Sequence, residues 1–91
     1  MDKLNAISIF CKVIETQSFT QAANQQNISV AMASKLVSQL EEHLKTRLLQ
    51  RTTRKIVPTE AGMLYYQCCQ AILLDLSEAD SSISNMATSL Q

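Results

Sequence analysis

Little in this sequence breaks a helix. Its 91 residues include one Gly, one Pro and no Trp. Gly and Pro are the strongest local punctuators of a chain, so their scarcity leaves little room for a strand-rich fold and points to a mostly helical one. No apolar stretch reaches the ~18 residues a membrane span needs. The N-terminus lacks a basic segment leading into a continuous apolar run, so it does not read as a signal peptide. Histidine occurs once, as His43. It lies on the polar side of a predicted helix, with no evident Ser or Cys nucleophile beside it, which leaves catalysis unsupported. A surplus of charge is missing too. Lys and Arg number 8 and Asp and Glu 8, a balance that at first argues against a polyanionic partner.

The three cysteines are Cys11, Cys68 and Cys69. An odd count, with two neighbours that cannot easily bridge each other, fits reduced thiols in the cytoplasm. Adjacent helical residues point ~100° apart, and no second His or Cys pair is near, so no metal site is expected. Nothing calls for a cofactor. Apolar residues make up 46% and charged residues 18%, an ordinary globular composition. A chain this short builds a thin core, so a partner's surface is expected to help stabilise it.

The distribution of charge is more telling than its sum. In residues 1–17, Asp2 and Glu15 cancel Lys3 and Lys12. Residues 18–59 hold Lys35, Lys45, Arg47, Arg51, Arg54 and Lys55 against Glu41 and Glu42. Residues 60–91 hold Glu60, Asp75, Glu78 and Asp80 with no cation. Such asymmetry suggests one region that faces a polyanion and another with a separate task.

Apolar spacing predicts the elements. Leu4, Ile7, Phe10, Cys11 and Ile14 recur at helical intervals, giving a first helix from about Lys3 to Gln17. Ser18 reads as the N-cap of a short second helix containing Ala22 and Ala23. Asn27 tolerates the left-handed conformation a turn needs. Ser29 is the next cap, and a third helix runs from Val30 to about Leu44, burying Ala33, Val37, Leu40 and Leu44. Two short β-capable runs, Arg47 to Arg51 and Lys55 to Pro58, flank a polar turn and read as a hairpin. Thr59 caps a last helix that nothing interrupts. Along it Tyr65, Cys69, Ile72, Leu76, Ala79, Ile83, Met86 and Leu90 repeat every three and four residues, a heptad seam. The helix is too long for the preceding domain to cover, so the seam is expected to pair with a second copy. Packing is the expected role of Cys68 and Cys69.

Residues 20–35 carry the central motif. A helix-turn-helix needs a small residue where its helices cross, a turn residue four positions on, an apolar residue under the turn, a cap and a buried small residue. Ala23, Asn27, Ile28, Ser29 and Ala33 supply these in order. The surrounding segments strengthen the match: Phe10 with Val13, Ser18-Phe19-Thr20-x-Ala22-Ala23, and Ser34-Lys35-x-Val37-x-x-Leu40-Glu41-x-x-Leu44. Arg47-Leu48-Leu49-x-Arg51-Thr52-Thr53-Arg54 and Thr59-Glu60-Ala61-Gly62 complete the pattern. Over nearly its whole length the chain resembles the N-terminal region of LysR-type transcriptional regulators. It departs where that family usually has Leu (Gln26), Gly (Lys45), Gln-Pro (Val30-Ala31) and Arg (Ser38, Gln39).

The resemblance implies a mainly α, winged helix-turn-helix domain over residues 1–58, of three helices and a β-hairpin wing. A linker helix over 59–91 would pair two copies into a homodimer. It implies double-stranded DNA as partner, read as an interrupted dyad operator. The third helix would enter the major groove, with Val30, Ala31, Ser34 and Lys35 near base edges. Ser18, Thr20, Ser29 and Ser38 would meet the backbone. The wing residues Arg51, Thr52, Thr53, Arg54 and Lys55 would meet backbone and minor groove, with Arg54 the strongest minor-groove candidate. Relatives of this kind continue into a ligand-sensing domain, so a small-molecule inducer is expected only there, beyond this chain. The competing reading is a protein-docking module, since winged helices also dock proteins and the heptad helix could recruit a different chain.

Overall fold

The computed structural model describes residues 2–52 and 55–89. In order it forms α1 (Lys3–Thr16), α2 (Phe19–Gln26), α3 (Val30–Leu44), β1 (Leu49–Arg51), β2 (Ile56–Pro58) and α4 (Glu60–Ser89). The predicted elements agree with these to within a residue or two at the ends.

The caps explain the boundaries. Asp2 accepts hydrogen bonds from the Asn5 backbone N–H at 3.2 Å and its side-chain amide at 2.7 Å. Ser18 accepts from the Gln21 N–H at 3.1 Å, and Ser29 from the Met32 N–H at 3.0 Å. Each cap satisfies one of the N–H groups that a helix start leaves without an internal partner. The first three helices all stop in the left-handed conformation, at Gln17, Asn27 and Lys45 (φ 56°, 57° and 54°). Asn tolerates that region; Gln and Lys meet a Cβ clash there.

Lys45 is where the family pattern usually has Gly. The third helix nevertheless ends in the same way: the Lys45 N–H donates to Glu42 and the Thr46 N–H to Glu41. Lys45→Gly should relieve the clash and retain these bonds. After discounting the freer unfolded chain, the gain should be about 0.5–1 kcal/mol. A thermal melt should show a midpoint a few degrees higher; a lower midpoint contradicts this account.

The core forms around α1. Ala6, Ile7, Ile9, Phe10, Cys11 and Val13 are buried there, against Ala22 and Ala23 of α2 and Ala33, Val37 and Leu40 of α3. Leu36 and Leu44 flank this stripe, half-buried. Each element of the helix-turn-helix spacing is realised: Ala23 and Ala33 are fully buried, Asn27 turns the chain, and Ile28 packs on the core. Gln26, where Leu is usual, lies half-buried beside a depression of about 330 Å³ shared with Ile9, Ile28 and Leu36.

The hairpin is antiparallel, with Leu49 opposite Pro58 and Arg51 opposite Ile56. Pro58 ends its strand, as its missing N–H requires. The buried Glu41 carboxylate holds the chain entering the hairpin, accepting from the Leu48 N–H at 2.8 Å and the Leu49 N–H at 3.2 Å. Thr59 joins the wing to α4. Its hydroxyl donates to the Arg47 carbonyl at 2.7 Å and accepts from the Gly62 N–H at 2.9 Å.

At 30 residues, α4 extends ~45 Å at ~1.5 Å per residue. Its first turns pack on α1. Tyr65 packs against Phe10 with ring centroids 5.9 Å apart and planes tilted by 53°, and the Tyr66 hydroxyl donates to Glu15 at 3.0 Å. Burial and then the Glu15 hydrogen bond push the Tyr66 phenol up to about 12. One expectation is corrected here. The heptad spacing predicts Cys69 on the pairing seam, yet it is 1% exposed and belongs to the domain's own core; Tyr65 is half-buried against α1. The cause is geometric. A helix that leaves one surface to meet another cannot present the same stripe to both, and α4 gives the first positions of its heptad pattern to α1. Ile72, Leu76, Ile83 and Met86 further along remain between 44% and 65% exposed, as does Leu64 nearer the start. Leu90 lies outside the described residues.

Candidate nucleic-acid interface

Burying Ala33, Val37 and Leu40 against α1 turns the opposite side of α3 outward. Val30, Ala31, Lys35 and Ser38 are exposed and Ser34 is half-buried. Val30 is 44% exposed and Met32 equally so. The leading end of this helix therefore presents methyl groups where the family it resembles usually carries Gln-Pro. Lys35 is the cation on this face.

The start of α2 approaches the wing. Ser18, Phe19 and Thr20 line a polar cleft of about 340 Å³ with Thr52, Lys55 and Ile56. A helix start carries partial positive charge and N–H groups, and Lys55 adds a full charge, so the cleft favours an anion. The Ser18 and Ser29 hydroxyl oxygens accept from backbone N–H groups, which leaves each hydroxyl hydrogen to donate outward.

Within the wing, Thr52 works on the turn itself. Its N–H donates to the Lys55 carbonyl at 2.9 Å, and its hydroxyl accepts from the Lys55 N–H at 3.0 Å. Thr53 and Arg54 lie outside the described residues.

Arg51 behaves differently from a simple wing cation. Its guanidinium sits 4.7 Å from the centre of the Phe19 ring, and one nitrogen lies 3.4 Å from the Ser34 hydroxyl oxygen. It thus touches both helices of the motif. The sequence marked Arg51, Ser34 and Phe19 separately but had no means of joining them. The spacing of 17 residues between Ser34 and Arg51 matches no local periodicity.

The structure brings Ser18, Thr20, Thr52 and Lys55 around one cleft, and links Ser34 to Arg51 beside it. Ser29, at the start of α3, is exposed. The cysteines form no part of this surface. Burial, with Cys69 beside it, pushes the Cys11 thiol up to about 12, and burial raises Cys69 as well. Both thiols lie in the core, away from this face. Among the described residues, no three His, Cys, Asp or Glu side chains group as a metal site, and no helix is long and apolar enough to cross a membrane.

Three helices, a two-stranded wing, and an exposed second helix of the motif define a winged helix-turn-helix DNA-binding module. Comparison with known proteins makes the assignment specific. Residues 4–63 match the family described as bacterial regulatory helix-turn-helix protein, lysR family. The chain belongs to this family, which is one of transcription regulators and not of enzymes. It is 87% identical to an HTH-type transcriptional regulator of Haemophilus influenzae over 91 residues, all of this chain and 32% of that protein. It is 43% identical over 83 residues to the transcriptional activator AaeR of Escherichia coli K12, covering 91% of this chain and 27% of AaeR. The chain thus spans about a third of the length of these relatives. Among solved structures, the BenM DNA-binding domain in complex with catB site 1 DNA superposes with a TM-score of 0.88 at 32% identity, covering 92% of this chain and 93% of that one. Full-length BenM superposes with a TM-score of 0.84, covering 92% of this chain and 28% of BenM.

Proposed function

We propose that this chain reads an operator and pairs two copies of a bacterial transcription regulator in the cytoplasm. The observation that carries this reading is the shared outward face of α3, the start of α2 and the wing. Exposed methyl groups, hydroxyls and cations meet there beside a cleft suited to phosphate. The solved BenM domain with catB DNA lends support, because its fold matches this one so fully.

In this reading α3 lies in the major groove. Val30 and Ala31 meet thymine methyls, and Lys35 and Ser34 reach base acceptors. Ser18, Thr20, Ser29 and Ser38 meet phosphates, together with Lys55 and the turn built by Thr52. Thr53 and Arg54, outside the described residues, would contribute backbone and minor-groove contacts. Pairing runs through the exposed apolar strip Ile72, Leu76, Ala79, Ile83 and Met86, with Leu90 beyond it. Exposed Cys68 and Leu64 take the place of Cys69 at its base. Two copies would address an interrupted dyad, since a two-fold protein matches a two-fold site. Residues 1–58 then act as the reader and 59–91 as the pairing linker. An inducer would act through the remainder of a longer protein. Sedimentation of the chain should give a dimer; a monomer at all accessible concentrations overturns the pairing.

The DNA reading is tested by anisotropy titration at two salt concentrations. Lys35→Ala should weaken binding to a selected site more than to random duplex. Arg54→Ala should weaken both and lower the slope of log K against log salt by roughly 1, the effect of one lost phosphate contact. Equal losses for Lys35→Ala on both DNAs remove it as a base reader. If the parent chain shows no salt-sensitive binding at all, a protein-docking role takes precedence.

A further inference from the structure

We propose that Arg51 is a positioning residue that decides which base Ser34 prefers to donate to, and does more than anchor the wing on the DNA backbone. The inference rests on the DNA-binding reading above.

Arg51 ends β1, yet its side chain leaves the wing and crosses to the recognition helix. Its guanidinium lies over the Phe19 ring at 4.7 Å and points one nitrogen at the Ser34 hydroxyl oxygen at 3.4 Å. Phe19 is itself half-buried and packed against the core, so the platform under the guanidinium is rigid. Arg suits this place because its planar cation stacks on an aromatic face while its edge still donates. A Lys ammonium, a compact point charge, cannot hold the same two contacts in one plane.

The consequence falls on the Ser34 hydrogen. A guanidinium has donors and no acceptor. Toward Arg51, then, the Ser34 oxygen can only accept. Among the described residues the Ser34 hydroxyl donates to no recorded partner, so its hydrogen remains for an external acceptor. Unconstrained serine is ambivalent and meets donors and acceptors alike. Accepting from Arg51 occupies one of the two Ser34 lone pairs, and the guanidinium charge disfavours a second donor beside it, so serine held by Arg51 is biased toward donating. In the major groove the guanine N7 and O6, the adenine N7 and the thymine O4 are acceptors, whereas cytosine offers its amino donor. Ser34 should therefore disfavour cytosine at the position it faces. That selectivity should vanish without Arg51, although Arg51 touches no base in this scheme.

The experiment is selection of bound sites from random duplex, then titration of the selected site and its single-base variants. The parent, Ser34→Ala, Arg51→Lys, Arg51→Ala and the Ser34→Ala/Arg51→Ala double variant are compared. Ser34→Ala should lose about tenfold discrimination against cytosine at one position, within the range typical of a single mismatched base pair. Arg51→Lys and Arg51→Ala should lose the same discrimination at the same position. The double variant should lose no more there than Ser34→Ala alone, the non-additivity expected of two groups acting as a unit. Arg51→Lys keeps a cation, so it should bind random duplex better than Arg51→Ala while sharing its loss of preference. A purely structural or electrostatic role would not separate those two readouts. The proposal is overturned if Arg51→Lys retains full discrimination, or if Arg51→Ala weakens all sequences equally and leaves the preference intact. It is also overturned if Ser34→Ala changes no position. These outcomes leave DNA binding by the parent untouched. Absence of parent binding would instead overturn the DNA-binding reading together with this one.

Discussion

Gly62→Ala should melt at least 12 °C below the parent chain. Gly62 is buried in the first turn of α4, where the helix runs against the backbone of Leu48. A Cβ at this position would fall far inside contact with the Leu48 carbonyl oxygen and 2.8 Å from its carbonyl carbon. The obstacle is backbone, so no side chain can rotate away. Leu48 has little freedom to yield. It is 1% exposed, its N–H is held by Glu41, and its carbonyl accepts from the Thr59 N–H at 3.0 Å. Overpacking typically costs about 1–3 kcal/mol and occasionally more; a clash against fixed backbone belongs at or beyond the upper end. For a domain of this size each kcal/mol moves the midpoint about 4–8 °C. Circular dichroism melts decide it. A midpoint within about 2 °C of the parent would mean that α4 is not held this closely to the wing. Below its melting point the variant should still lose DNA affinity, because relief of the clash tilts α4 away and would shift the spacing of the two domains in the proposed pair.

Glu41→Ala should cost about 3 kcal/mol. Its carboxylate is the buried charged group of the core, 8% exposed, and it accepts from two successive backbone N–H groups, Leu48 and Leu49. Hydrogen bonds to a charged group contribute about 1.5–3 kcal/mol, and a buried donor left without a partner costs about 1–3. Truncation strands both N–H groups at once. Both N–H groups meet the same oxygen, Oε2, so Glu41→Gln can keep both bonds without the charge and should recover roughly half of the loss. The pair of melts separates a hydrogen-bonding role from simple packing, because packing alone would make Gln nearly equivalent to Glu. Loss of the anchor should also loosen the hairpin. Amide exchange at Leu48 and Leu49 should therefore rise more than at Phe10 in the central helix.

Much of this architecture was legible in the residues. Three serine or aspartate caps, Asn27 at the turn and the apolar spacing of α1 and α3 are local signals, and local hydrogen bonding enforces them. The helix-turn-helix was visible for the same reason: Ala23, Asn27, Ile28, Ser29 and Ala33 lie within 11 positions of one another in the chain. Glu41 was not legible. In the sequence it looks like the solvated side of a helix, beside Glu42, and it turns inward only because the hairpin entry brings two unpaired N–H groups to it. The linkage of Ser34 to Arg51 through the neighbourhood of Phe19 was equally hidden. Cys69 shows the converse failure: the heptad pattern was real, but a periodic stripe does not say which of two surfaces will cover it.

The scarcity of Gly and Pro therefore had two meanings. The shortage itself determined a mostly helical chain with a long final helix, because nothing interrupts the local hydrogen bonding after Thr59. Sequence alone also determined the helix-turn-helix spacing and the separation of basic and acidic regions. Tertiary structure decided why the single Gly stands at residue 62, since only the approach of α4 to the Leu48 carbonyl forbids a Cβ there. It likewise decided that Cys69 packs inward, that Glu41 holds the wing, and that Arg51 reaches the recognition helix. Each of these depends on surfaces distant in the chain, and their meeting is set by the packing of whole elements around α1.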